Sequence, residues 1–206
     1  MKKLVVFLAL GLIWMQGCIP SIHPIYTADT LVSFDQLVGE WSDYSDPETP
    51  TEPADKWYFE KADDKALTLI QVSGESGVAA QFSVHVIQLG DMYFIDFYPE
   101  TPSPKYQSRF NFQCSENNRN GLDQLHWFPG HLFGRLILND DELKVRFLDP
   151  DFLKNQDPAR QPVLAYEAEN DDMIITASTE ALQAFLLRYG ADEAVFDSET
   201  TLQRQR

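Results

Sequence analysis

Residues 79–98, AAQFSVHVIQLGDMYFIDFY, decide the fold. Two apolar, β-branched and aromatic runs, Ala79 to Leu89 and Met92 to Tyr98, flank Gly90-Asp91, a short glycine turn of the kind that closes a tight hairpin. The same grammar continues on both sides. Upstream, Ala66 to Val72 is rich in Leu, Ile, Thr and Val and pairs across Ala62-Asp63-Asp64-Lys65 with a strand in which Trp57 and Phe59 share one face. Leu37, Gly39 and Trp41 alternate with Val38, Glu40 and Ser42, which predicts an earlier strand with Trp41 pointing inward. The proline-rich, acidic stretch from Asp43 to Asp55 reads as a solvated connection.

Downstream, Arg109 to Cys114 is expected to form a short strand. The apolar segment Leu125 to Leu138 turns through Asn139-Asp140-Asp141 into Leu143, Val145 and Phe147, a further strand pair. Asp149-Pro150 predicts a capped short helix through about Asn155. Val163 to Ala168 and Met173 to Ala177 predict a last hairpin around Asn170-Asp171-Asp172. One amphipathic helix follows: Ser178 as N-cap, Leu182, Phe185, Leu186 and Tyr189 on one face, and Gly190 as a left-handed terminator. Serial hairpins and a terminal helix predict a mainly β fold, an antiparallel barrel or strongly curved sheet with a C-terminal amphipathic helix. An open α+β antiparallel sheet is the alternative.

The N-terminus predicts an address. Lys2 and Lys3 precede an apolar run from Leu4 to Met15, too short for the roughly 20 residues that span a bilayer, and Gln16-Gly17 lead to Cys18. The expected division is a signal peptide over 1–17, a lipidated N-terminus and tether over 18–36, one β-rich domain over 37–196 and a polar tail over 197–206. In the tether, Pro20 and Pro24 prevent regular structure, while Ile22, Ile25 and Tyr26 can pack on the domain.

Met15-Gln16-Gly17-Cys18 resembles the bacterial lipobox, with Met15 where leucine is usual. The resemblance implies thioether lipidation of Cys18, cleavage before it, and two or three acyl chains holding the protein to a membrane. Ile19 after the cysteine resembles the outer-membrane sorting signal, so the implied location is the outer membrane, facing the periplasm. His23-Pro24-Ile25-Tyr26, Leu37 to Trp41, Phe147 to Leu153 and Thr176 to Phe196 are similar to segments of a family of uncharacterised bacterial lipoproteins, which supports the same address and no mechanism. Gly39-Glu40-Trp41 resembles the lipocalin signature at the start of the first barrel strand, although no arginine is assignable from sequence as the one that packs on the tryptophan. That resemblance implies a barrel able to hold one apolar ligand, or one filled by its own side chains.

Charge narrows the partners. Without residues 1–17 the chain keeps 14 of its 16 basic residues against 32 acidic ones, a net charge of −18. Phosphate recognition needs clustered Lys and Arg, so nucleic acid is excluded as a partner.

No catalytic centre or cofactor motif emerges. Lipidation consumes one of the two cysteines, leaving Cys114 to act as a small buried hydrophobe. His85, His126 and His131 lack the spacing that announces a metal site and stand only as weak metal candidates beside His23. Ser76, in Gly74-Glu75-Ser76-Gly77, lacks the fifth position of a nucleophile elbow. Asp63-Asp64, Asp140-Asp141 and Asp171-Asp172 read as solvated hairpin tips. The expected function is therefore noncatalytic: an envelope lipoprotein that binds a small apolar molecule or lipid. The alternatives are a protein interaction module using His126-Trp127-Phe128-Pro129 and, last, a hydrolase without a recognisable motif.

Overall fold

A computed structural model describes residues 19–43, 54–112, 129–157, 159, 164–169 and 172–206. Cys18, Cys114, His126, Trp127 and Phe128 lie outside the described residues. The strands are β1 (Leu31–Val32), β2 (Gly39–Asp43), β3 (Lys56–Lys61), β4 (Ala66–Val72), β5 (Ala79–Leu89), β6 (Met92–Glu100), β7 (Leu132–Asn139), β8 (Glu142–Phe147), β9 (Tyr166–Glu169), β10 (Asp172–Ile175) and β11 (Ser198–Arg204). The helices are α1 (Pro104–Gln107), α2 (Pro150–Lys154) and α3 (Thr179–Tyr189), with a 3-10 turn at Asp35–Leu37.

The strands β2 to β8 form an antiparallel meander, and β11 lies between β8 and β2 to close an eight-stranded barrel. β5 runs through the wall: its first part pairs with β4, its far end receives β1, and β6 pairs along its other side. The mainly β expectation holds, in its barrel form.

Period-two alternation fills the interior. Trp41, Phe59, Leu67, Leu69, Val84, Val86, Ile95, Leu136, Leu143, Val145 and Leu202 are buried in one cluster. Trp57, Phe82, Phe97 and Phe147 add an aromatic layer, with Trp57 edge-on to Phe97 at 5.6 Å between ring centroids. A barrel of eight strands is just wide enough for side chains to fill, and these residues fill it.

A second core lies outside the wall. Ile87 and Phe94 of β5 and β6 meet Leu182, Phe185 and Leu186 of α3, together with Ile19, Ile25, Leu153 and Phe196. The predicted caps are present: the Ser178 side chain accepts from the Ala181 N–H, and Asp149 accepts from Asp151 ahead of Pro150. Gly190 differs from expectation. Its backbone is right-handed at φ −61°, and the glycine is needed for space instead, since a Cβ would sit 2.5 Å from Phe94 Cζ and 2.5 Å from the Leu186 carbonyl.

Two boundaries are corrected. The expected tether over 18–36 is built into the fold from its first described residue: Ile19 and Ile25 are buried in the outer core, and β1 pairs with β5. The outer wall of β5 and β6 presents apolar side chains that this segment covers, although its prolines keep it irregular. The expected polar tail over 197–206 is the closing strand, because β2 and β8 each have a free ladder edge that only another strand satisfies. Two smaller differences follow. The strand expected over 109–114 is, among its described residues, a single bridge from Asn111 to Val78. The last hairpin is a separate two-stranded sheet, not part of the barrel.

Candidate functional site

The polar groups that converge do so outside the barrel, where β5 and β6 are overlaid by the N-terminal segment. His85 stands directly opposite Asp96, and Ser83 opposite Tyr98. Asp96 is fully buried, and a buried carboxylate must have its oxygens satisfied. One oxygen, Oδ1, lies 2.7 Å from His131 Nδ1; the other accepts the Ile25 N–H at 3.1 Å. An ionised carboxylate only accepts, so against that form of Asp96 the contact is donated by His131 Nδ1.

His131 is fixed from the main chain as well. Its N–H donates to the Ser21 carbonyl at 2.8 Å, and the Ser21 N–H donates to the His131 carbonyl at 2.7 Å. The ladder position of Ser21 is shared with Ile175 on its other side, so β10, the N-terminal segment and His131 hold one another.

Rings surround the pair. Tyr26 stacks on His85 at 4.3 Å between centroids and meets His131 edge-on at 6.1 Å, while Tyr98 lies 4.7 Å from His131. Burial pushes the His85 pKa down, with Asp96 pulling it partly back, and its Nδ1 is buried without a hydrogen-bond partner among the described residues. Burial, then the charge of Asp96, pushes the Tyr26 hydroxyl up. Tyr26, Tyr98, Ser83, Glu100, His131 and Ile22 line an open groove of about 430 Å³, with Pro129 at its edge. Glu100 is held in place by the Gln81 side-chain amide at 2.9 Å.

Of the weak metal candidates, His85 and His131 come together around Tyr26 and His126 lies outside the described residues; the remaining histidine, His23, is exposed. Among the described residues no three His, Cys, Asp or Glu side chains are placed to share a metal ion. Ser76 sits in the turn between β4 and β5, where its hydroxyl accepts from the Val78 N–H. Asp63 caps its own turn, accepting from Lys65 and Ala66, and Asp140 and Asp141 occupy the tip between β7 and β8. Sequence reasoning missed Asp96. The signal was present: it is the single charge within Tyr93-Phe94-Ile95-Asp96-Phe97-Tyr98, on the outward phase of the strand.

One end of the barrel carries the arrangement expected around Gly39-Glu40-Trp41. The Arg204 guanidinium lies 4.2 Å from the Trp41 ring centroid and donates to the carbonyls of Val38 and Gln36, while Trp41 Nε1 donates to Leu37 at 2.8 Å. Gly39 has φ +134°, and a Cβ there would lie 3.0 Å from Arg204 Nη1. The barrel is lipocalin-like. Trp41 and Arg204 are direct partners across β2 and β11, so the missing arginine lay in the stretch expected to be a tail. The chain matches no protein-family model, no curated protein and no solved structure.

Proposed function

We propose that the protein is an envelope lipoprotein, anchored through acylated Cys18 at the outer membrane, whose barrel is a noncatalytic scaffold carrying a small-ligand site on its outer wall. The observation that carries this reading is the filled interior: Trp41, Phe59, Leu69, Val84, Ile95, Leu143 and Val145 are at most 1% exposed, so the barrel axis is core, not container. The lipocalin-like binding expectation therefore moves to the groove lined by Tyr26, Tyr98, His131 and Glu100, where rings, an imidazole and a carboxylate face open space.

Anchoring agrees with the entry of the chain. Ile19 is 6% exposed and Ser21 is fully buried, so a lipid on the preceding cysteine would hold the domain at the membrane surface with no slack between them.

Material purified from its native envelope tests both parts. Intact mass should exceed the polypeptide mass by acyl groups, and Cys18→Ser should abolish the increment. Native mass spectrometry should show a copurified small molecule that Tyr98→Ala removes. An unacylated mature chain overturns the anchor; a bound molecule unaffected by Tyr98→Ala, or none at all, overturns the groove.

A further inference from the structure

We infer that the outer groove recognises an organic ammonium group, with Tyr26 and Tyr98 as aromatic walls and Glu100 as counter-ion. The inference rests on the groove being the ligand site and names the chemistry of its ligand. Three observations point the same way. The groove is lined by two tyrosine rings, a histidine and a glutamate, with no Lys or Arg among the described residues that line it. Glu100 is exposed, is oriented by Gln81, and has no ion-pair partner among the described residues. Behind the groove sits the buried carboxylate of Asp96, directly opposite His85 in the strand pair and 2.7 Å from the His131 ring.

A cation over tyrosine rings is attracted by their quadrupoles, and a carboxylate at the same mouth adds a charge-assisted contact. The surrounding potential disfavours ligands of net negative charge, in a chain of net charge −16, and favours a cation or a zwitterion that leads with its ammonium. Ile22, 37% exposed on the rim, offers an apolar contact to methyl groups or to the chain that bears the amine. The ammonium can belong to a free amine or to a phospholipid headgroup, since acylated Cys18 would bring this face to the bilayer.

The test uses the acylated mature protein in neutral maltoside micelles, following the Tyr98 and His131 ring resonances. Tetramethylammonium chloride and ethanolamine hydrochloride should give saturable shifts that sodium chloride at equal ionic strength does not. Glu100→Gln and Tyr98→Ala should each weaken binding about tenfold. Should Tyr98→Ala fail to fold, Glu100→Gln, a change at an exposed carboxylate, decides. In nanodiscs containing phosphatidylethanolamine, loss of the response to free amine assigns the site to a headgroup, and an unchanged response assigns it to a soluble amine. Shifts equal to those of sodium chloride, or affinities unchanged in both variants, overturn the inference. If ammonium fails to bind but Tyr98→Ala still removes a copurified molecule, the groove stands and its ligand is of another class. If both fail, the groove reading falls with it.

Discussion

Arg204→Met is the substitution that tests how the barrel is closed. The arginine covers Trp41 at 4.2 Å and donates to Val38 and Gln36, tying the last strand to the segment that enters the first. Methionine keeps much of the side-chain length and apolar contact while removing the fork. The cation–π contact is worth about 1 kcal/mol in this partly solvated position. Each hydrogen bond to a carbonyl contributes about 1 kcal/mol after discounting for exposure, since the Arg204 side chain is 26% exposed and water can reach the carbonyls it leaves. The expected loss is about 3 kcal/mol, a large part of a typical domain stability of about 5–15 kcal/mol. Urea denaturation followed by tryptophan fluorescence measures it, with an accompanying fall in Tm of roughly 6–12 °C for a chain of this size. Arg204→Lys, which keeps the charge but not the planar fork, should fall between the two. A loss below about 1 kcal/mol for Arg204→Met would refute the reasoning and make the stacked arginine incidental.

Other outcomes follow from the same packing. Gly134→Ala places a Cβ 2.7 Å from the Arg146 carbonyl and 2.9 Å from Val145 Cγ1, so it should cost about 2–3 kcal/mol in the same urea assay. Asp96→Ala leaves the Ile25 N–H and His131 Nδ1 without partners and should cost about 2–5 kcal/mol, with amide exchange at Ile25 accelerating; slow exchange in the variant would contradict the role given to the carboxylate. The lowered His85 pKa means that the folded chain binds fewer protons than the unfolded one as pH drops below the ordinary histidine value of 6.5. Its contribution is fully present above that pH and is lost as pH falls from 6.5 toward the folded value, so midpoints measured at stepped pH should decline less in His85→Gln than in the parent. Removing residues 197–206 deletes β11 and exposes two ladder edges, and circular dichroism should show loss of the cooperative transition.

The hairpins, caps and amphipathic helix were legible because each is a local pattern: Gly90-Asp91 at a turn, Ser178 ahead of Leu182, Phe185 and Leu186. His85 and His131 were visible as titratable residues, but their meeting depends on Asp96, 35 positions before His131, and on the N-terminal segment that covers them. The sequence could not announce β11 because Ser198–Arg204 holds a single aliphatic residue, Leu202. Its strand identity comes from two waiting ladder edges and from Arg204 lying on Trp41. Ile25 packs on the domain as its sequence suggested, but the burial of Ile19 and the pairing of β1 were not legible in the tether, because they find their core and ladder edge only once β5, β6 and α3 are assembled.

By itself, then, the sequence determined the strand order of the meander, the terminal helix and the strong negative charge, since alternation, capping and charge are properties of neighbouring residues. Tertiary structure alone decided that the barrel is closed by the last strand, that its interior is filled, and that Tyr26, Tyr98, Glu100 and His131 share one outer groove, with Asp96 buried against His131. Those outcomes depend on contacts between residues far apart in the chain, whose pairing is set by which edges and apolar faces remain to be covered.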